Sequence, residues 1–230
     1  MDCPLCVSSR TGIFYKKHQP KVGRKTYWKC SNCHLIFLPP EFHPTPYEEK
    51  SRYDEHENST RNEGYVRFLE KLVQPLAAKL RPGASGLDFG CGPGAVLSAL
   101  LNRRGYFVEN YDPYYFPDAS LLYRKYDFIA SAEVVEHFRS PREVFLKLDQ
   151  LLKDDESYLG LMTQILERED NFPQWWYHND ATHLCFYQHS TLEWIAGWRQ
   201  WGLEVPEKNV IIYSKGKGNR MHFGRRRQIT

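Results

Sequence analysis

Residues 90–94 read Gly-Cys-Gly-Pro-Gly, and no other run constrains this chain as tightly. An apolar stretch over 85–89, ending Leu87-Asp88-Phe89, leads into it. A second apolar stretch over 95–101, at helical spacing, follows it and stops at Gly105. Glycine lets the backbone turn sharply and approach a ligand closely, and a helix that starts there offers free amide donors. The expected unit is strand, glycine bend and helix, with its ligand outside the carboxyl end of the strand. Asp112 ends the next expected strand, 106–111, and lies 18 residues beyond Gly94. A carboxylate at that point accepts both hydroxyls of a ribose, as in dinucleotide sites. The plainer alternative is a generic strand–helix turn with an aspartate at a strand end. The glycine spacing is G-x-G-x-G, not the G-x-G-x-x-G of nicotinamide sites, which disfavours an NAD oxidoreductase.

The rest of the chain alternates in the same way. Helical spacing over 65–76 predicts a helix that Pro75 should kink. Strands are expected over 126–131, 158–165 and 209–213. Ser140-Pro141-Arg142-Glu143 and Ser190-Thr191-Leu192-Glu193 read as capping boxes that open two further helices. This order predicts an α/β fold, a parallel or mostly parallel sheet with helices on both faces. The length, 230 residues, leaves room for one full domain and a small appendage. We divide it into a cysteine module (1–38), a polar connector (39–62), the α/β domain (63–214) and a basic tail (215–230). Tyr53, His56 and Asn58 of the connector can fold back on a site.

With 41% apolar and 26% charged residues, composition excludes disordered and fibrous classes. A net charge of +3 specifies no partner. No apolar run is long enough to span a membrane, and the first 30 residues hold no signal-like apolar core. The expected location is the cytoplasm, a reducing compartment. Four of the six cysteines form two pairs there, Cys3-Pro-Leu-Cys6 and Cys30-Ser-Asn-Cys33. That pattern reads as a closed, structural four-thiolate zinc site, with free or redox thiols as the alternative. CPLC followed by YWKCSNCHLIF resembles a zinc ribbon. Such a metal holds a module too short for its own core and can also present a surface to nucleic acid or protein.

Over residues 63–214 the chain resembles the S-adenosylmethionine (SAM)-dependent methyltransferases of the Rossmann-like class. The resemblance rests on LDFGCGPG, on YDP after the second strand and on FIASAEVVEHF. It implies a seven-stranded sheet with one antiparallel strand near its edge. It also implies that Asp88 to Gly94, with Gly90 and Gly92, cradle the amino-acid part of SAM. Asp112 would hold the ribose, and Ala132 and Glu133 would border the methyl group. The segment between Asp112 and Tyr126 is short and departs from the pattern. The third strand and the adenine contacts therefore stay open.

If residues 133–138 are helical, Glu133, Glu136 and His137 share one face. Two carboxylates and an imidazole suit a divalent cation, and His178 or His183 from a later loop can add a ligand. E-x-x-E-H with a later histidine locally resembles ubiquinone-pathway O-methyltransferases and small-RNA 3′-terminal 2′-O-methyltransferases, the latter with a Mg²⁺-binding cluster. This resemblance implies Glu133, Glu136, His137 and His183 as ligands. Without a metal, His137 or His183 can take the acceptor proton. Trp175, Trp176, Tyr177 and His178 form either a platform for a planar substrate or a satellite core. The tail, with Lys215, Lys217, Arg220 and Arg225 to Arg227, is either a phosphate contact or merely solvated. The leading expectation is O-methylation of a small aromatic or diol-bearing acceptor. The alternatives are an RNA methyltransferase using ribbon and tail, and a non-catalytic SAM-binding adaptor. The oligomeric state is not specified by the sequence.

Overall fold

The first half of the chain forms β1 (Thr11–Gln19), β2 (Gly23–Cys30), β3 (Ile36–Phe37), α1 (Pro46–Asp54), α2 (Glu63–Ala77), β4 (Ser85–Phe89), α3 (Val96–Asn102) and β5 (Phe107–Tyr111). The second half adds β6 (Phe128–Ala132), α4 (Pro141–Leu151), β7 (Ser157–Met162), β8 (Cys185–Phe186), α5 (His189–Arg199), β9 (Gly202–Glu207) and β10 (Val210–Lys215). This is a computed structural model, and it describes residues 1–19, 23–55 and 58–216. The expectations for His56 and for the tail from Lys217 onward lie outside the described residues.

The larger sheet has strand order β5-β4-β6-β7-β10-β9. β5, β4, β6 and β7 pair in parallel, and β10 runs antiparallel to both its neighbours. The α/β class is as expected, but the described residues give this sheet six strands, not seven. Between Asp112 and Tyr126 the chain makes a bridge from Asp112 to Phe116 and a 3-10 turn, Ala119–Tyr123, so β5 is left at the edge. Thirteen residues with two prolines leave too little regular backbone there for another parallel crossover.

Side chains alternate across the strands with period two. Phe128, Ala130, Val210 and Ile212 face α2 and α3, while Ile129, Ile211 and Tyr213 face the layer of α4 and α5. α2 turns Leu69, Leu72, Val73 and Leu76 to the sheet and accommodates Pro75 near its end. Gly160 lets it come close, since a Cβ there would lie 3.0 Å from Leu72 and Leu76. Burying each such leucine stabilises the fold by about 2 kcal/mol.

The smaller sheet has order β1-β2-β3-β8. Its last strand comes from beyond β7, so the cysteine module and the α/β domain share a sheet. They also share a core, in which Cys3, Leu5, Cys33, Leu35 and Phe37 pack with Phe145, Tyr187, Leu192 and Ile195.

Neither expected capping box forms. Ser140 precedes α4 without a side-chain cap. α5 starts one residue before Ser190, at the Gln188 carbonyl, which accepts from Leu192 N at 3.1 Å. A reciprocal box forms instead in the stretch 39–62, where Thr45 and Glu48 cap α1.

At the opposite end of the sheet from the glycine bend, Asp127 closes β4 onto β6. It accepts from Ser85 N and Oγ at 2.9 and 2.8 Å, and from Arg81 and Lys153 at 2.8 Å each. Burial alone would raise its pKa, but these donors outweigh burial and hold the carboxyl below the usual range. Its contribution is present above the unfolded pKa of about 3.9 and is lost as pH falls toward the folded value. We expect Asp127→Asn to cost about 2 kcal/mol in denaturant unfolding at neutral pH. The difference from wild type should shrink as pH drops below about 4; an equal loss at every pH would contradict this account.

Candidate active site

The carboxyl ends of β4, β5 and β6 open into one cavity of about 1200 Å³. Gly90 follows β4 with φ +77°, and its N–H donates to Tyr111 O at 2.8 Å, carrying the parallel pairing one step past the strand. A Cβ on Gly90 would lie 2.6 Å from Val134. Gly92 has φ +62°, and a Cβ there would make ordinary contact with Asn58 Nδ2 at 3.7 Å. Gly94 is required for another reason: a Cβ there would lie 1.9 Å from the Asn58 carbonyl oxygen, so the chain from 58 onward crosses directly over the bend. Asp88, Gly90, Gly92, Asp112 and Ala132 line the cavity, and Gly94 sits behind it.

Asp112 is buried and braces the bend. Its Oδ2 accepts from Gly92 N at 3.0 Å, and its Oδ1 from Tyr114 N and Tyr115 N at 2.8 and 3.2 Å. Oδ2 has one lone-pair direction left for a ligand. Asp88 accepts from Ser98 N at 3.0 Å, but burial pushes its carboxyl up to about 7, with the charge of Asp112 adding to the effect. Room, positive-φ glycines and a part-satisfied carboxylate fit a nucleoside with a charged amino-acid arm.

Residues 133–138 are not the expected helical face. Glu133 takes φ +54°, and only Val135–His137 form a 3-10 turn. The left-handed step at Glu133 occurs because its N–H still pairs with Met162 O at 2.8 Å while the chain must leave the sheet. Glu136, His137 and His183 converge nonetheless, with candidate ligand atoms within 4.8 Å of one another. Glu133 lines the cavity beside them. Glu133 Oε1 and Glu136 Oε2 are buried without a partner among the described residues. Tyr177 Oη donates to Glu136 Oε1. Burial raises the pKa of both carboxyls, and Glu136 adds to the effect on Glu133.

His137 Nδ1 lies 2.9 Å from Thr182 O, and His183 Nδ1 lies 2.7 Å from Tyr177 O. A carbonyl only accepts, so both Nδ1 atoms carry the proton and both Nε2 atoms present a lone pair. This is the arrangement that orients histidine as a ligand or a base.

The four aromatic-loop residues part company. Trp176, 63% exposed, and Tyr177 line the cavity. Trp175 and His178 turn the other way, under the β1–β2 hairpin, where His178 stacks on Phe172. Trp201 is buried, and Trp194 and Trp198 pack against the core, as expected of helix packing. The wall that sequence reasoning missed is α1, which contributes Glu49 and Arg52 beside the anticipated Tyr53. Arg52 pairs with Asp180 at 3.0 Å, and the Tyr53 ring meets His137 edge-on at 5.3 Å. The signal for it was the box at Thr45 and Glu48.

The four thiols also converge, with Cys3–Cys33 Sγ atoms 3.5 Å apart and Cys6–Cys30 3.4 Å apart. Tetrahedral zinc with bonds of about 2.3 Å needs sulfurs about 3.8 Å apart, so the set fits that ion. Each pair makes the same turn: Val7 N donates to Cys3 O and His34 N to Cys30 O, both at 3.0 Å, with φ +57° and +61° at Val7 and His34. Left-handed backbone at these non-glycine residues costs roughly 1–2 kcal/mol each, which a bound metal would offset.

A sequence family described as a methyltransferase domain matches residues 58–208. No protein of curated description matches the chain. Among solved structures, an O-methyltransferase family protein from Burkholderia thailandensis is 16% identical, with 77% of this chain and 65% of that one covered and a TM-score of 0.49. A magnesium protoporphyrin IX methyltransferase from Synechocystis, solved with bound SAH, is 15% identical, with 76% and 96% covered and a TM-score of 0.46. With well over half its length inside the family match, the chain belongs to the methyltransferase-domain family and is a SAM-dependent methyltransferase.

Proposed function

We propose that this enzyme methylates a hydroxyl oxygen of a small acceptor. The observation that carries this reading is the convergence of Glu136, His137 and His183, whose candidate ligand atoms lie within 4.8 Å of one another, beside Glu133 at the strand end next to Ala132. Bound SAM supplies an electrophilic methyl on a sulfonium. The chain's task is to bind it, align the acceptor and remove one proton. Asp112 holds the ribose by accepting from a hydroxyl at Oδ2, the bend from Asp88 to Gly92 holds the amino-acid arm, and Ala132 and Glu133 border the methyl group. His137 or His183 accepts the acceptor proton at Nε2. Glu133, Glu136, His137 and His183 would hold a divalent cation such as Mg²⁺ or Mn²⁺, whose chemistry is to acidify and orient a hydroxyl. Trp176 and Tyr53 provide faces for a planar acceptor. Enclosure of the cavity by α1 and the segment 176–183 favours a small acceptor over RNA. An adaptor needs no paired, oriented histidines. Four thiolate ligands require a reducing compartment, so we assign the protein to the cytoplasm, with the zinc structural.

Turnover of SAM to its demethylated product across a panel of phenols, catechols and other diols tests the reading as a whole; amine acceptors used in place of every hydroxyl would overturn it. Asp112→Ala should weaken SAM binding at least about tenfold by calorimetry, and an unchanged affinity would contradict the ribose role. Glu133→Gln should reduce turnover about tenfold or more and raise the Mg²⁺ or Mn²⁺ concentration giving half activity. Full activity at every metal concentration would exclude the cation and leave the histidines as the base. Cys33→Ser should release zinc and, because β3 pairs with β8, speed amide exchange over residues 183–187 as well as in the ribbon. Loss of zinc with unchanged exchange there would show the two parts to be uncoupled.

A further inference from the structure

Lys17 and Lys25 stand directly opposite each other in the β1–β2 ladder. Like charges in such a pair repel unless an anion lies between them. Strand alternation puts both on the face that bears Tyr15 and Tyr27. That face is pressed onto the segment after β7: Tyr27 Oη donates to His178 O at 3.2 Å, and Lys17 Nζ donates to Asn179 Oδ1. Lys25 is only 8% exposed, and no hydrogen bond or ion pair to it is found among the described residues. The His178 ring is 2% exposed, edge-on to Tyr15 and Tyr27, and neither of its nitrogens is bonded. Asp180 is the carboxylate that acts on Lys25, but it is already engaged: Oδ1 accepts from Thr182 N and Oγ1, and Oδ2 from Arg52. A buried imidazole with neither nitrogen bonded is costly to keep, and the largely buried stem of Lys25 holds its ammonium close by. Two lysines and a histidine therefore meet, and among the described residues only Lys17 has an acceptor, the amide oxygen of Asn179.

We propose that the junction of the β1–β2 hairpin with residues 176–180 is an anion-binding subsite, in which Lys17, Lys25 and the His178 ring hold a carboxylate or phosphate group. Residues Trp176, Asn179 and Asp180 of the same segment line the cavity, whereas Lys17, Lys25 and His178 lie behind that wall, so the anion would brace the wall from its far side. The subsite stands on this geometry and does not depend on the function proposed above. Burial and Lys17 together push the Lys25 ammonium toward neutrality, and burial with the two lysines brings His178 down to about 4. A bound anion opposes both effects.

The test uses the full-length protein and inorganic phosphate, with histidine-ring NMR as the readout and His178→Gln to assign the resonance. We expect saturable movement of the His178 signals and at least about tenfold weaker phosphate binding in Lys25→Met, with Lys25→Arg retaining most of the affinity. If Lys25→Met misfolds, Lys17→Met, on a less buried side chain, carries the comparison. A wild-type His178 signal indifferent to phosphate and acetate overturns the subsite, as does undiminished binding in Lys25→Met and Lys17→Met. Acetate in a parallel titration separates a carboxylate from a phosphate preference. SAH affinity, measured on the same samples, should be unchanged in the variants. Phosphate binding without SAH binding would sink the methyltransferase assignment and spare the subsite; SAH binding without phosphate binding would do the reverse.

Discussion

Parallel pairing of β4 between β5 and β6 is the constraint on which the rest of this molecule depends. Three strands running the same way end at the same rim. The proposed site residues stand one step past those ends: Gly90 after β4, Asp112 after β5 and Glu133 after β6. Just past a strand the backbone still satisfies its ladder bonds but is free to turn. Gly90 N pairs with Tyr111 O and Glu133 N with Met162 O, and each residue then takes a positive φ. The sheet thus sets where the side chains start, and the turns set where they point.

The second tie is the short pairing of β3 with β8. It joins the cysteine module to the residues that follow His183. Leu184 N donates to Glu136 O at 2.7 Å and Leu184 O accepts from Leu38 N at 2.9 Å, so one residue links the ribbon and the carboxylate–histidine cluster. A metal in the four-thiol site would act on catalysis through this connection, by holding β3 in place, without touching substrate. The hairpin joined to β3 also reaches the far side of the cavity-lining segment. The module thus backs the cavity wall, whereas α1 lines it directly through Glu49, Arg52 and Tyr53.

Electrostatics gives the site its character. Asp88, Glu133 and Glu136 are buried carboxyls whose pKa values burial raises. The fold tolerates them at some cost in stability, as sites built to receive a charged ligand commonly do. The opposite imbalance stands a few residues away, where Lys25 lies buried under the hairpin. The cavity wall separates an acidic pocket from a basic junction.

Much of this was local and so legible in one dimension. The glycine bend, the strand-end aspartate and the paired cysteines are short motifs whose chemistry follows from residue type and spacing. The fold class followed from the alternation of apolar stretches. Reading residues 133–138 as a helical face failed because Met162 captures the Glu133 amide, a contact between strands that no periodicity records. The split of Trp176 and Tyr177 from Trp175 and His178 was hidden for the same reason, as it depends on a hairpin some 150 residues earlier in the chain. Residue order determined that this chain would build a bend for a nucleoside and a cage of thiols, because each is closed by near neighbours. Tertiary structure alone decided which carbonyls the histidines meet, that β8 pairs with β3, and that Lys17 and Lys25 face the segment 176–180. Those outcomes turn on distant backbone groups finding partners, and hydrogen-bond satisfaction between distant segments leaves no periodic trace in a sequence.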